Sequence, residues 1–382
     1  MDVLRNAKNK VHRAADSSQG SSIEDGQSLN SLTTGLSMRS KTLPPPPEWA
    51  IAQALGIEKV STSWLAGDGS DRCYYRIQAA ERSFVLMQLS GDDAIQLQKD
   101  GYEWVKIGRL LHDHGIFAPQ TVATLPDFAA LIIEDYGDLM METKALQSLE
   151  QGDRSSVLKL YRQSFDILAR FLQITEKGQS NWVDRSFDAA RLDWELHFFQ
   201  EQFLKGVLGW TLNPSEQKAF DQGAKLLSEQ LASKSQYFVH RDFHSRNVMV
   251  KNNKLAVIDF QDARLGPATY DLVSICFDSY IPLQADERRM LVLEGCDYLV
   301  DKVPSLSKEA LLEEWGPMLL QRQLKALGSF GYLTTQKNRG NYLKYVPAAL
   351  ETLSIENVGH ASWDFLSTDL IAGIKQRWKT PS

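Results

Sequence analysis

A short hairpin flanked by polar side chains is the feature of this sequence that most restricts its fold. Two apolar runs, Val248–Val250 and Leu255–Ile258, are separated by a polar stretch that contains two consecutive asparagines. Such a stretch favours a tight turn, so the runs are predicted to pair as antiparallel strands. Asn247 and Asp259 stand at the outer ends of this hairpin. The turn is therefore predicted to return Asp259 to the side of Asn247.

The residues that precede the hairpin complete a chemical pattern. His240, Arg241 and Asp242 precede Asn247 in the arrangement H-R-D-x-x-x-x-N. Phosphoryl transfer needs a carboxylate that orients and deprotonates the attacking hydroxyl, and ligands that hold Mg²⁺ on the donor phosphates. Asp242 is the candidate base, and Asn247 and Asp259 are the candidate Mg²⁺ ligands. The alternative is a capped turn or a surface salt bridge at Asp242, and His240 is expected to pack and to bond the backbone.

Length, charge and cysteine content limit the classes of function. A chain of 382 residues is long for one core and predicts two lobes or domains. A net charge of -6, with no run of Lys or Arg, argues against a nucleic-acid partner. Three widely spaced cysteines favour free thiols over a zinc site or a disulfide framework. No apolar run is long enough to span a bilayer and the first residues are polar, so a cytoplasmic protein with no membrane partner is predicted.

The chain is predicted to have three regions. Residues 1–47 are polar, rich in Ser and end in four prolines, which favours a disordered leader with a stiff linker over an SH3-type ligand. Residues 48–136 show a short helix that ends at Gly56, five strand-like runs and one main helix over 94–114. Residues 137–382 are mostly helical, and the hairpin is the exception.

The segment around the candidate base resembles a known enzyme family. His-Arg-Asp-Phe-His-Ser-Arg-Asn at 240–247, with the run from Ile258 to Leu272, is similar to the aminoglycoside phosphotransferase/choline kinase family. It most resembles the bacterial N-acetylmuramate/N-acetylglucosamine kinase branch, over about residues 50–350. The resemblance implies an α+β, bilobal protein-kinase-like fold, with a small strand-rich N-lobe (48–136) and a larger helical C-lobe (137–382). It implies ATP and Mg²⁺ as cofactors, and an amino sugar phosphorylated at its anomeric hydroxyl in cell-wall recycling.

The same resemblance implies where the nucleotide binds. Gly67, Gly69 and Ser70 fall in a loop between two strands that is similar to the loop covering the phosphates, and its N–H groups suit that role. Glu134 and Tyr136 fall where the family has the hinge that bonds adenine. A plain hairpin turn and a plain strand end are the alternatives. The third strand departs from the usual kinase pattern, because Met87 or Gln88 stands where a phosphate-binding lysine is typical.

Candidate substrate residues lie between the hairpin and the C-terminal helices. They are Asp262, Arg264, Arg322 and Arg339. An arginine fork suits a lactyl carboxylate, although a surface salt bridge is the alternative for each residue. Asp271 is expected to cap the helix that starts at Leu272 and to brace the loop.

The preferred function is therefore an ATP-dependent sugar kinase with no obligate protein partner. One alternative is a kinase for another small molecule, of the aminoglycoside, choline or homoserine type. Another is a nucleotide-binding pseudokinase, which the missing strand lysine favours.

Overall fold

The computed structural model describes residues 45–67, 72–99, 102–176, 185–356 and 358–379. Most of the predicted disordered leader, together with Gly69 and Ser70, lies outside these residues. The chain divides into two compact units: residues 1–102 with 121–135, and residues 103–120 with 136–382. Among the described residues no helix combines the length and the apolar character needed to cross a bilayer.

The first unit is a five-stranded antiparallel sheet with helices. Its elements are α1 (Glu48–Leu55), β1 (Ser61–Gly67), β2 (Cys73–Ala79), β3 (Arg82–Gln88), α2 (Gly91–Gln98), β4 (Thr121–Leu125) and β5 (Ala130–Glu134). The strand order is β1-β2-β3-β5-β4. Alternate residues of β2 and β3, such as Tyr75, Ile77 and Phe84, face one buried apolar core that includes Ile51 of α1. As predicted, α1 ends at Gly56, which adopts the left-handed conformation.

The predicted single helix over 94–114 is wrong. The structure has two helices there, α2 and α3 (Glu103–Asp113), because the backbone of Lys99 leaves the helical region. The apolar side of α3 packs within the second unit, where the Trp104 ring lies 5.0 Å from the Phe260 ring. By its contacts α3 therefore belongs to the second unit. The predicted domain limits, 48–136 and 137–382, stay a prediction.

The second unit is mainly helical. After α3 its elements are α4 (Met141–Glu150), α5 (Arg154–Glu176), α6 (Ala189–Phe199), α7 (Pro214–Ala232), β6 (Gln236–Val239), β7 (Val248–Lys251), β8 (Lys254–Val257), β9 (Arg264–Pro267), α8 (Tyr270–Cys276), α9 (Ala285–Lys302), α10 (Lys308–Thr335), α11 (Val346–Ile355) and α12 (Leu370–Arg377). The predicted hairpin is confirmed, since β7 pairs with β8 from Val248↔Val257 to Lys251↔Lys254. Asn252 and Asn253 occupy the turn with positive φ.

Helix α10 approaches the C-terminal end of α6 and the segment that follows it very closely. A Cβ at Gly328 would lie 2.8 Å from the Phe199 Cα, and one at Gly331 would lie 2.3 Å from the Gln202 carbonyl oxygen. The hydrogen side chains of these glycines therefore permit the contact. The close packing fixes the inward face of α10 relative to α6.

We expect Gly331→Ala to lower the free energy of unfolding by about 1–3 kcal/mol, because an added methyl has to displace backbone. This loss outweighs the gain of about 1 kcal/mol in helix propensity. Urea unfolding followed by circular dichroism measures the change. Gly340→Ala is the matched control, since a Cβ at Gly340 meets no atom within 4 Å. A stabilised Gly331→Ala variant would contradict the packing argument.

Candidate active site

The loop that carries Asp242 is anchored by a carboxylate from α8. Asp271 accepts hydrogen bonds from the backbone N–H groups of His240 (2.6 Å) and Arg241 (3.0 Å). Arg241 sits at φ 84, a conformation that a non-glycine residue adopts only when its surroundings hold it there. Asp271 thus braces the loop, as predicted. The predicted capping role is wrong, because α8 begins at Tyr270 and already includes Asp271, and its N-cap is Thr269.

His240 links the two ends of this segment. Its Nδ1 accepts from the backbone N–H of Asp242 (3.3 Å), so Nε2 carries the proton and donates to the Ile258 carbonyl (2.9 Å). The ring is 1% exposed and packs against Phe171 and Phe243. The expectation that His240 packs and bonds the backbone is confirmed.

Arg241 and Glu195 of α6 form an ion pair that is almost completely removed from water. The two side chains are each 1% exposed and the Nη2–Oε1 distance is 3.1 Å. Burial alone raises the pKa of Glu195, but Arg241 and other nearby cations bring it below its usual value. This pair ties α6 to the residue that precedes Asp242.

Asp242 is paired with cations from α10. The Lys325 Nζ lies 2.5 Å from Oδ1 of Asp242, and the Arg322 Nη2 lies 3.9 Å from the same oxygen. Burial alone raises the pKa of Asp242, but Lys325, Arg241 and Arg322 outweigh burial and hold it well below its usual range. The second oxygen, Oδ2, is buried and has no hydrogen-bond partner among the described residues. One carboxylate oxygen is therefore engaged, and the other has no hydrogen-bond partner among the described residues.

The hairpin brings Asn247 and Asp259 together, as predicted. The Ile258 N–H donates to the Asn247 carbonyl (3.0 Å), which places the two ends of the hairpin side by side. The Asn247 side chain donates through Nδ2 to the Asp242 carbonyl (2.9 Å), so its amide oxygen points elsewhere. Asp259 has φ 61 and accepts from Gln261 (2.8 Å). Both residues offer hard oxygen donors, which suit Mg²⁺.

A cavity lies next to His244 and Arg322, two neighbours of Asp242, and Asp242 itself is not part of its lining. It is lined by His244, Val273, Ser274, Phe277, Asp278, Ser279, Tyr280, Arg322, Gln323, Ala326 and Phe330. His244 and Arg322 connect it to Asp242. The carboxylate in this lining, Asp278, accepts from the N–H groups of Ser245, Tyr280 and Ile281. Burial lowers the pKa of His244 to about 3, so this ring is neutral.

The four candidate substrate residues do not converge. Arg322 is buried, lines the cavity, and donates to the Ser274 hydroxyl (2.7 Å) and the Tyr270 hydroxyl (2.8 Å). Asp262 and Arg264 lie elsewhere: the Arg241 Nη1 is 3.9 Å from Asp262, and the Arg264 guanidinium covers the Phe187 ring at 5.0 Å.

Arg339 precedes the 3₁₀ turn Gly340–Tyr345, where its backbone N–H donates to Leu333 (2.8 Å). It is not among the residues that line the cavity. Arg322 is therefore the one candidate substrate residue that the described cavity includes.

The candidate nucleotide residues fall in both units. Gly67 ends β1 and Glu134 ends β5 in the first unit. Tyr136 belongs to the second unit, where its hydroxyl donates to the Ala118 carbonyl (3.4 Å) and Lys251 covers its ring at 4.6 Å. On β3, Met87 is buried and Gln88 donates to the Phe128 carbonyl (3.2 Å). The position of the missing lysine is thus filled by side chains that have structural contacts.

Sequence analysis missed three residues that shape the site. Lys325 contacts Asp242, Glu195 holds Arg241, and Asp278 holds the backbone of Ser245. Lys325 did leave a signal, since it lies one helical turn after Arg322 and residues 316–331 of α10 contain no other charged residue. Two charges on one side of a buried helix indicate a counter-charge in the core.

The sequence is similar to known proteins of one enzyme family. A model described as a phosphotransferase enzyme family matches residues 63–303. N-acetylmuramate/N-acetylglucosamine kinase of Pseudomonas aeruginosa is 28% identical over 305 residues, which cover 79% of this chain and 85% of that protein.

Two solved structures have the same kinase-like fold. The gentamicin–APH(2'')-IIa complex matches with TM-score 0.54 and 14% identity, and covers 83% of this chain and 96% of the other. The choline kinase LicA of Streptococcus pneumoniae matches with TM-score 0.54 and 14% identity, and covers 81% and 98%.

We expect Glu195→Leu and Arg241→Met each to lower the free energy of unfolding by about 3–5 kcal/mol, because each leaves a buried charge without its partner. The double variant is expected to cost less than the sum of the two single changes. A double-mutant cycle by urea unfolding measures this coupling. The control cycle uses Arg162 and Glu294, whose side chains are 46% and 37% exposed; its coupling should stay below about 1 kcal/mol. Additive costs at Glu195 and Arg241 would refute the buried pair.

Proposed function

Because the chain belongs to the phosphotransferase enzyme family, we propose that it transfers phosphate from ATP, with Mg²⁺, to the anomeric hydroxyl of N-acetylmuramate or N-acetylglucosamine. Family membership and the kinase-named relatives make it a small-molecule kinase. We further propose the identity of the sugar, the nucleotide and the metal, and the role of each residue.

The arrangement of Asp242 is the observation that supports this proposal most strongly. Its carboxylate is held as an anion, Oδ2 has no partner among the described residues, and its neighbours His244 and Arg322 line a cavity. A sugar hydroxyl in that cavity donates to this carboxylate, which orients the hydroxyl oxygen towards the donor phosphorus and takes its proton during attack. Neutral His244, although nearby, has a pKa of about 3 and is too weak a base for this role.

Asn247 and Asp259 suit a Mg²⁺ ion that is shared with the donor phosphates. Within the described part of the chain, no group of three or more His, Cys, Asp or Glu side chains is placed to hold a metal alone. Mg²⁺ on a nucleotide usually takes only one or two protein ligands, and phosphates and water supply the rest. When bound, the ion supplies positive charge that stabilises the transferring phosphoryl group. The paired oxygen donors at the hairpin fit that requirement.

The charges around the cavity favour a neutral or anionic acceptor over a polycation. Arg322 lines it, Lys325 lies next to it on Asp242, and Asp278 is already occupied by three N–H groups. A polyamine drug gains most from free carboxylates. Tyr280 and Phe330 add an aromatic wall that suits the apolar face of a sugar. The cavity therefore fits an N-acetyl amino sugar better than a polycationic aminoglycoside.

The proposal is tested by ³¹P NMR of the purified protein with Mg-ATP and a panel of N-acetylmuramate, N-acetylglucosamine, choline and kanamycin. We expect a sugar 1-phosphate signal from wild type, and a rate reduced about 10²–10⁴-fold in Asp242→Asn, because an amide cannot accept the proton. Circular dichroism checks that the variant is folded. Phosphorylation of choline or kanamycin instead would discard the sugar assignment. ATP binding without any product would favour a pseudokinase.

We expect Asp259→Asn to raise the Mg²⁺ concentration for half-maximal rate on the order of tenfold or more, because the metal loses a charged ligand. A Mg²⁺ titration at fixed ATP, corrected for Mg-ATP formation, measures the change. Asp369→Asn is the control, since Asp369 is an exposed carboxylate on a C-terminal segment. Equal Mg²⁺ dependence of the Asp259 variant and wild type would remove Asp259 from the metal site.

A further inference from the structure

The two oxygens of Asp242 have different surroundings, and the difference comes from one residue of α10. Oδ1 receives a hydrogen bond from Lys325 at 2.5 Å, while Oδ2 is buried with no partner among the described residues. The side chains of Lys325 and Asp242 are 9% and 10% exposed, so water does little to screen this contact. A carboxylate that is fixed through one oxygen cannot rotate freely, and the direction of its second oxygen is set.

The environment of Lys325 provides a reason for a lysine at this position. Burial disfavours a charged ammonium, and Arg322 and Arg241 add positive charge nearby. Asp242 and, from α6, Glu195 oppose these effects. Glu195 accepts no hydrogen bond from Lys325 among the described residues, since its Oε1 accepts from Arg241 and its Oε2 has no partner. Asp242 is therefore the hydrogen-bond acceptor that makes a buried ammonium tolerable here.

Helix packing positions this ammonium. Gly328 lies one turn after Lys325, at the close contact with Phe199, so this part of α10 is pressed against the backbone of α6. Arg322, one turn before Lys325, is fixed by Ser274 and Tyr270 of α8. The stretch of α10 that carries Lys325 is thus held on both sides, and the Nζ–Oδ1 contact does not depend on a surface side chain.

We propose that Lys325 is a positioning residue, which holds Oδ1 of Asp242 and thereby leaves Oδ2 to accept the proton of the acceptor hydroxyl. This inference rests on the proposed function. As the acceptor oxygen forms its bond to the terminal phosphorus of a nucleoside triphosphate, the bond to the leaving diphosphate breaks. The hydroxyl proton passes to Oδ2. Lys325 neither gains nor loses a proton in this step.

The inference predicts a loss of rate rather than of substrate binding. Lys325→Met retains the apolar stem and removes the charge, so Asp242 loses its fixed oxygen. We expect kcat to fall about 10²-fold, with KM for sugar and for ATP within about threefold of wild type. Lys325→Arg keeps a cation and is expected to retain more activity than the Met variant. Ser329→Ala, one turn further along α10, is the control for changes to the helix.

Chemical rescue separates positioning from simple stabilisation. Lys325→Ala leaves space in which a small amine can replace the ammonium group. We expect ethylammonium to restore part of kcat in this variant, whereas ethanol at the same concentration does not. Restoration by the amine alone supports the inference. Wild-type kcat in Lys325→Met, or no amine rescue in a folded Lys325→Ala variant, would overturn it.

The controls distinguish this inference from the proposed function. If wild type phosphorylates no sugar in the ³¹P panel, the proposed function fails first and Lys325 is not at issue. If wild type is active and Ser329→Ala has the same kcat, the kcat of the Lys325 variants decides whether Lys325 positions Asp242. Thermal unfolding of every variant shows whether a loss of kcat comes from a loss of folded protein.

Discussion

Charges that are buried around one short loop determine how the second unit is put together. Arg241 and Asp242 are almost completely removed from water, and an ionised group in such a place is tolerated only with a well-placed partner. Each partner comes from a different helix: Glu195 from α6, Lys325 from α10, and Asp271, which binds the loop backbone, from α8. Three helices are therefore fixed on the same loop. The close contacts of Gly328 and Gly331 of α10 with the end of α6 and the segment after it bring Lys325 and Glu195 to the same loop.

The range of an interaction along the chain decides how well the sequence predicts it. The hairpin and the approach of Asn247 to Asp259 depend on a two-residue turn, and the local pattern predicts both. The same holds for the end of α1 at Gly56. The partners of the buried loop lie far away, since Lys325 is 83 residues from Asp242 and Glu195 is 46 from Arg241. No local pattern specifies which distant charge meets which, although two buried charges in an otherwise uncharged stretch of a helix do indicate that a partner exists.

Where the prediction was wrong, packing between distant segments overrode local preference. The run 94–114 has helical periodicity, yet it forms two helices, and Trp104 of α3 packs on Phe260, which lies 156 residues further along the chain. The short pair β6 and β9 escaped sequence analysis because its strands have only four residues each and lie far apart in the chain. Arg264 shows the same limit: a candidate for substrate contact from sequence, it covers the Phe187 ring in the fold.

A carboxylate surrounded by Lys325, Arg241 and Arg322 is strongly ionised and therefore a weak base, which at first sight does not suit the proton removal proposed for Asp242. The chemistry of phosphoryl transfer resolves this conflict. Its transition state is loose in most descriptions, so the attacking oxygen carries little new positive charge until late, and the proton leaves late. What the early part of the reaction needs is orientation of the hydroxyl by a fixed acceptor. The cations that hold one oxygen of Asp242 lower its basicity, which such a transfer requires only at its end. In return they fix the direction of the carboxylate, which the transfer requires from the start.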